Sequence, residues 1–187
     1  MSNSSNCNFV SRWRSLSRTG CIFASVVVAA TVAAADSARV IESTAVALFA
    51  QNQSDQALAY LEAQIVAATP AEKDMAVAQE LTRIAFVFHG RKDRGHAEFV
   101  ANAANARAEP RLADSVLSPV HFAVYREQAI ACELILGDVA KAIDRVDCAL
   151  RYIDQSGAGS ALASTAGELR QRRLRLVHKL KILQRPS

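Results

Sequence analysis

The chain has 187 residues, is 51% hydrophobic, and carries 7 Gly, 4 Pro and only 6% aromatic residues. That length suits one compact domain, the Ala and Leu content favours helix, and the composition excludes a disordered or collagen-like chain. The net charge of +4 divides into +3 from Arg12, Arg14 and Arg18, −6 over residues 36–169 and +7 beyond them, so an acidic body carries a basic tail.

In chain order, the three arginines precede an apolar run, "CIFASVVVAATVAAA" (21–35), which is followed by Asp36. Ala33 and Ala35 fit the small-x-small cleavage rule, so residues 1–35 read as a secretory signal peptide cut after Ala35, with an uncleaved membrane anchor as the alternative. The run is shorter than the roughly 20 residues that span a bilayer. No Cys follows the cleavage point directly, so a lipid anchor is not expected. The expected address is periplasmic or extracellular. Cleavage would leave Cys132 and Cys148 in an oxidising compartment. Their expected places, on successive antiparallel helices, put the Cα atoms beyond disulfide reach, and both read as small core or half-buried thiols.

From Asp36 onward apolar residues recur at helical spacing and turn residues divide the chain into helix-length segments. Helices are expected over 39–51 and 55–68. Thr69 can cap the next helix, with Pro70 and Glu72 in its first turn. That helix runs over 71–89, with Gly90 as its left-handed stop. Others follow over 94–108, 118–136 (stopped by Gly137) and 138–154. After the flexible "QSGAGS", a last helix covers 161–183. The expected class is all-α, built from antiparallel helix pairs.

One stretch points to a family. "LGDVAKAIDRVDCALRYID" (136–154) resembles the middle of a tetratricopeptide (TPR) repeat: Gly137-Asp138 make the tight turn, Ala142 is the small residue at the helix crossing, and Ala149-Leu150 pack on the next layer. Ala57 and Ala97 follow earlier turns as Ala142 does. The intervals between these alanines are 40 and 45 residues, against about 34 in the family, and the aromatic and Gly signatures of each first helix are largely missing. The resemblance implies a short right-handed solenoid of about three pairs over 36–160, capped by a basic amphipathic helix over 161–187. It also implies that the first helices line a concave groove. Mapped through the turn alanines, that groove would present Glu42, Val46 and Phe49, then Thr82, Phe86 and His89, then Glu127, Ala131 and Leu134, an apolar floor suited to a hydrophobic partner segment.

Other motifs carry less. "FHGRKDRGHA" (88–97) has the glycine spacing of a phosphate loop, but His96 and Ala97 stand where Lys and Ser/Thr are needed and a helix precedes it. His89, His96, His121 and His178 lack metal-site spacing and read as surface residues. No nucleophile motif or triad is evident, and Asp144/Asp147 and Glu72/Asp74 read as solvated acids. The last helix sets Arg170, Arg172, Arg173, Arg175, Lys179 and Lys181 around an apolar stripe, which suits a solenoid cap or contact with an anionic surface.

The leading expectation is an exported, non-catalytic protein-interaction or scaffold module. A peripheral membrane protein held by its basic helix is the alternative, and a small enzyme without a recognisable motif is the second. No cofactor, metal or small-molecule substrate is expected. Nucleic acid is a poor candidate, because no aromatic side chain interleaves the basic residues.

Overall fold

The computed structural model describes residues 39–114, 117–157 and 159–185, so the expected signal segment lies outside the described residues. The chain divides at Ile41/Glu42, and of the first unit only residues 39–41 are described, as helix. The second unit is all-α, with no strand among the described residues. It comprises α1 (residues 42–50), α2 (Ser54–Gln64), α3 (Pro70–Gly90), α4 (Arg94–Ala108), α5 (Pro119–Ala131), α6 (Val139–Gln155) and α7 (Ala163–Leu183). A 3-10 turn at Glu109–Arg111 follows α4, and α5 passes into a π-turn over Cys132–Leu136.

Local chemistry explains the boundaries. Thr69 Oγ1 accepts the backbone N–H of Glu72 at 3.1 Å, and Pro70 takes the first turn of α3. Ser118 and His121 form a reciprocal capping box at the start of α5. Helix α2 stops four residues earlier than the apolar pattern suggests, because Ile65 is extended (φ −85°, ψ 116°). The β-branched pair Ile65-Val66 and a proline that forces Thr69 out of the helical region both favour extended backbone there.

Three inter-helix turns repeat one plan. A left-handed residue (Asn52, φ 58°; Lys92, φ 62°; Gly137, φ 66°) precedes an N-cap residue (Gln53, Asp93, Asp138), and a fully buried alanine follows the cap by four positions (Ala57, Ala97, Ala142). In each turn the backbone N–H of that alanine donates to the N-cap carbonyl, at 3.0, 3.1 and 3.0 Å. Lys92, and not Gly90, is therefore the left-handed stop of α3: the glycine is still helical, and the chain accepts the strain two residues later.

The N-cap N–H reaches back to Leu48 O, Phe88 O and Cys132 O in the three turns, five residues in the first two and six in the third. The extra residue of the third pair is absorbed as the π-turn. Counting back from these carbonyls aligns Ala45, Ala85 and Ala129, all fully buried.

Helix α3 packs mainly on α4 and α5, α5 on α6, and α6 on α7. Val124, Tyr125, Ala129, Val139, Ala142 and Val146 form a core that Ala166, Leu169 and Leu176 of α7 close. Within it, Arg145 is 1% exposed. Its Nε donates to Gln128 Oε1 (3.1 Å), and its Nη2 donates to Asn105 Oδ1 (3.2 Å) and Glu109 Oε2 (2.6 Å). Gln128 and Asn105 spend their own amide groups on Ala104 O and Ala101 O. This satisfied network ties α4, α5 and α6 in one register.

Two of the four acids expected to be solvated, Asp74 and Asp147, act between helices instead. Asp74 of α3 pairs with Arg107 (3.2 Å) and Arg111 (2.7 Å), and Arg107 also meets Glu62 of α2. Asp147 of α6 holds Arg173 of α7 at 2.5 Å. His121, expected at the surface, is 3% exposed; its ring faces Ser118 Oγ at 2.8 Å.

Candidate functional site

Helices α3 and α5 pack side by side, and Glu42 of α1 lies near enough to act on Glu80 of α3. Arg83 and Glu127 occupy corresponding positions on α3 and α5 and meet at 3.7 Å, while Gln79 Nε2 donates to Glu127 Oε1 at 3.2 Å. Arg83 also faces Glu80 at 3.6 Å. Burial pushes the Glu80 carboxyl above the ordinary range; Arg83 opposes this, and Glu42 and Glu127 add to it. The floor expected to be apolar is thus a polar seam between first helices.

The structure separates the residues mapped onto that groove. Phe49 and Thr82 are fully buried, Val46 and Ala131 nearly so, and they are core. Thr82 Oγ1 donates to Ala78 O at 2.8 Å, and Phe49 meets Phe99 edge to face at 6.4 Å. Glu42, Phe86 and Glu127 are half-buried on the seam. For the α5 position, Ala131, the slip has a cause. Mapping by turn alanines carried the 45-residue interval into α5, but before the π-turn the true interval is 44. The counterparts of Thr82 and Phe86 are therefore Arg126 and Ile130, which the sequence mapping missed.

His89 and Leu134, by contrast, come together. They line a cavity of about 750 Å³ between the α3–α4 and α5–α6 turns, with Lys92, Arg94, Ile135 and Leu136. Leu134 is 58% exposed. His89 and Lys92 are exposed on the rim, and Arg94 is held by Glu98 at 2.6 Å. The stretch 88–97 that shapes this rim is a capped turn: Asp93 accepts from His96 N (3.3 Å) and faces its Nδ1 (2.7 Å), and the His96 ring stacks on Phe88 at 5.1 Å. Hydrogen bonding from the His96 side chain holds the Asp93 carboxyl below its ordinary range. What this site can do chemically is hold an apolar side chain beneath a basic rim.

The basic tail is divided by its contacts. Arg172 donates to Glu133 at 2.6 Å, Lys179 lies 3.6 Å from the same carboxylate, and Arg173 binds Asp147, so these three fasten α7 to the body. Arg170, Arg175 and Lys181 are exposed and form no ion pair among the described residues. Leu174 and Ile182 are exposed among them.

Cys132 and Cys148 are free and buried. Burial pushes both thiols up, which suits packing rather than nucleophilic attack. Burial likewise pushes Tyr125 up to about 12, and its hydroxyl donates to Arg111 O at 2.8 Å. Among the described residues no group of three His, Cys, Asp or Glu side chains is placed to hold a metal ion, and no helix is long and apolar enough to cross a membrane. No protein family, curated protein or solved structure matches the chain.

Proposed function

We propose that the chain is a non-catalytic protein-interaction module: a divergent, TPR-like, right-handed stack of three helix pairs capped by α7, exported by its N-terminal signal. The observation that carries this reading is the thrice-repeated turn, with its left-handed residue, N-cap and buried alanine at fixed offsets. Repeats of one supersecondary unit set equivalent side chains in a row, and such rows are built for extended contact with a partner. The packing order, α3 on its own second helix α4 and on the next first helix α5, and α5 on α6, supports the same reading. A partner segment would lie along the α1–α3–α5 face, across Glu42, Phe86 and Glu127, with the His89–Leu134 cavity at its edge.

The test is affinity capture from the native cell envelope by the wild-type protein and by Phe86→Glu, read by mass spectrometry, with circular dichroism of both. A partner lost with the helical signal intact supports the reading. A partner retained by a folded Phe86→Glu variant refutes binding through this face. The membrane alternative draws on fewer residues than the sequence suggests, because Arg172, Arg173 and Lys179 are occupied by the body.

A further inference from the structure

The register that brings Arg126 and Ile130 onto the first-helix face also sets them opposite α7. Arg126 and Ile130 of α5 and Thr165, Glu168, Leu169, Arg172 and Arg175 of α7 line a cavity of about 380 Å³ between the two helices. An adjoining cavity of about 180 Å³ shares Arg172 and Arg175 and adds Lys179 and Glu133. Four cations therefore converge on one cleft against two carboxylates. Glu133 is already committed to Arg172 Nη2 and Lys179.

The remaining donors are poised and unspent. Arg126 lies over the Phe122 ring at 5.9 Å, and that ring stacks on Tyr152 at 5.1 Å, so the guanidinium is supported on an aromatic face with its N–H groups free to donate. Arg126 and Arg175 form no ion pair among the described residues, and the Nε of Arg172 is buried without a hydrogen-bond partner. An unpartnered buried donor costs free energy that an incoming acceptor would recover. Guanidiniums on opposite walls suit planar, bidentate acceptors, and Ile130 and Leu169 supply apolar contact between them.

We propose that the cleft between α5 and α7 docks an acidic segment of a protein partner, its carboxylates held between Arg126 on one wall and Arg172 and Arg175 on the other, with an apolar neighbour on Ile130 and Leu169. The inference rests on the reading of the chain as an interaction module and specifies the charge of what it binds. A recessed cleft favours a side chain over a flat lipid surface, which would meet the outward arc of α7, Arg170, Leu174 and Lys181, instead.

The experiment is fluorescence anisotropy on the full chain with a short labelled peptide of Glu and Leu, its counterpart with Lys for Glu, and a flotation arm with phosphatidylserine vesicles. The test variant is Arg126→Gln/Arg175→Gln, because neither residue fastens α7; Arg170→Gln/Lys181→Gln is the control, and circular dichroism verifies both folds. The acidic peptide should bind in preference to the basic one, weaken about tenfold or more in the test variant, weaken with salt, and be unchanged in the control. Equal binding by the test variant, no preference for the acidic peptide, no peptide binding, or recruitment to vesicles alone each overturns the proposal. A native partner still lost on Phe86→Glu in those cases would leave the interaction-module reading standing; loss of neither would end both.

Discussion

The second helix pair, α3–α4, and the third, α5–α6, share a backbone plan and fill it with different chemistry. Counted from the turns, Ile84 corresponds to Gln128 and Val100 to Arg145, and all four are buried. In the second pair the two positions are apolar. In the third they are joined by the Arg145 Nε to Gln128 Oε1 hydrogen bond and extended to Asn105 and Glu109. The difference teaches that the shared geometry resides in the turn and the buried alanine that follows it. The interior of each pair can then be held by burial alone or by a satisfied polar network, and the network also fixes how α4 meets α5 and α6. A buried ion pair is weak evidence for stability in itself, so the added role is one of register.

The largest break in this comparison is Arg145→Ala. It leaves Gln128 Oε1 without its Arg145 donor, Asn105 Oδ1 with only the weak Cys132 thiol and Glu109 without its partner, and opens a cavity; it should lower unfolding free energy by about 3–5 kcal/mol in urea titration. Arg145→Met with Gln128→Leu instead gives the third pair the apolar chemistry of the second at similar volume. That double variant should stay within about 1.5 kcal/mol of wild type. A double variant as damaged as Arg145→Ala would show that the two interiors are not interchangeable.

A smaller effect of opposite sign separates the turns. Gly137→Ala puts a side chain on a left-handed residue and should cost about 1 kcal/mol, whereas Lys92→Gly removes one from the equivalent position and should gain about 0.5 kcal/mol. Thermal midpoints moving in the same direction would break the equivalence of the two turns.

The smallest effect concerns the seam between the pairs. Glu80 holds its proton to higher pH when folded, so its contribution to stability is present below the ordinary carboxylate range and is lost as pH rises through its raised value. Glu80→Gln should therefore raise the urea midpoint slightly at neutral pH, with the difference vanishing in acid. A larger gain in acid than at neutrality would reverse the assignment.

The turns were legible because backbone needs are local. Gly137-Asp138, the Thr69-Pro70 start, and Ala57, Ala97 and Ala142 behave as residue type and spacing require. Register in α5 was not legible: one extra residue rotates every position before it by about 100° around the helix, and nothing in the sequence marks whether it enters the turn or a π-turn. That is why the turn-alanine mapping puts Ala131 on the groove in place of Ile130, and Glu127 in place of Arg126. Burial of Phe49 and Thr82 was hidden for a related reason, since helical period names a face and only packing says what covers it.

By itself, then, the sequence determined an all-α chain, most of the places where its helices turn, and the small residues that follow three of those turns, all set within a few residues of backbone. Only the tertiary structure decided which charges face water. Arg145, Asp74, Asp147, Arg172 and Arg173 find partners on other helices, each 26 or more residues away except the Arg145–Gln128 contact at 17. Pairing over such distances depends on how helices pack, which no local spacing encodes.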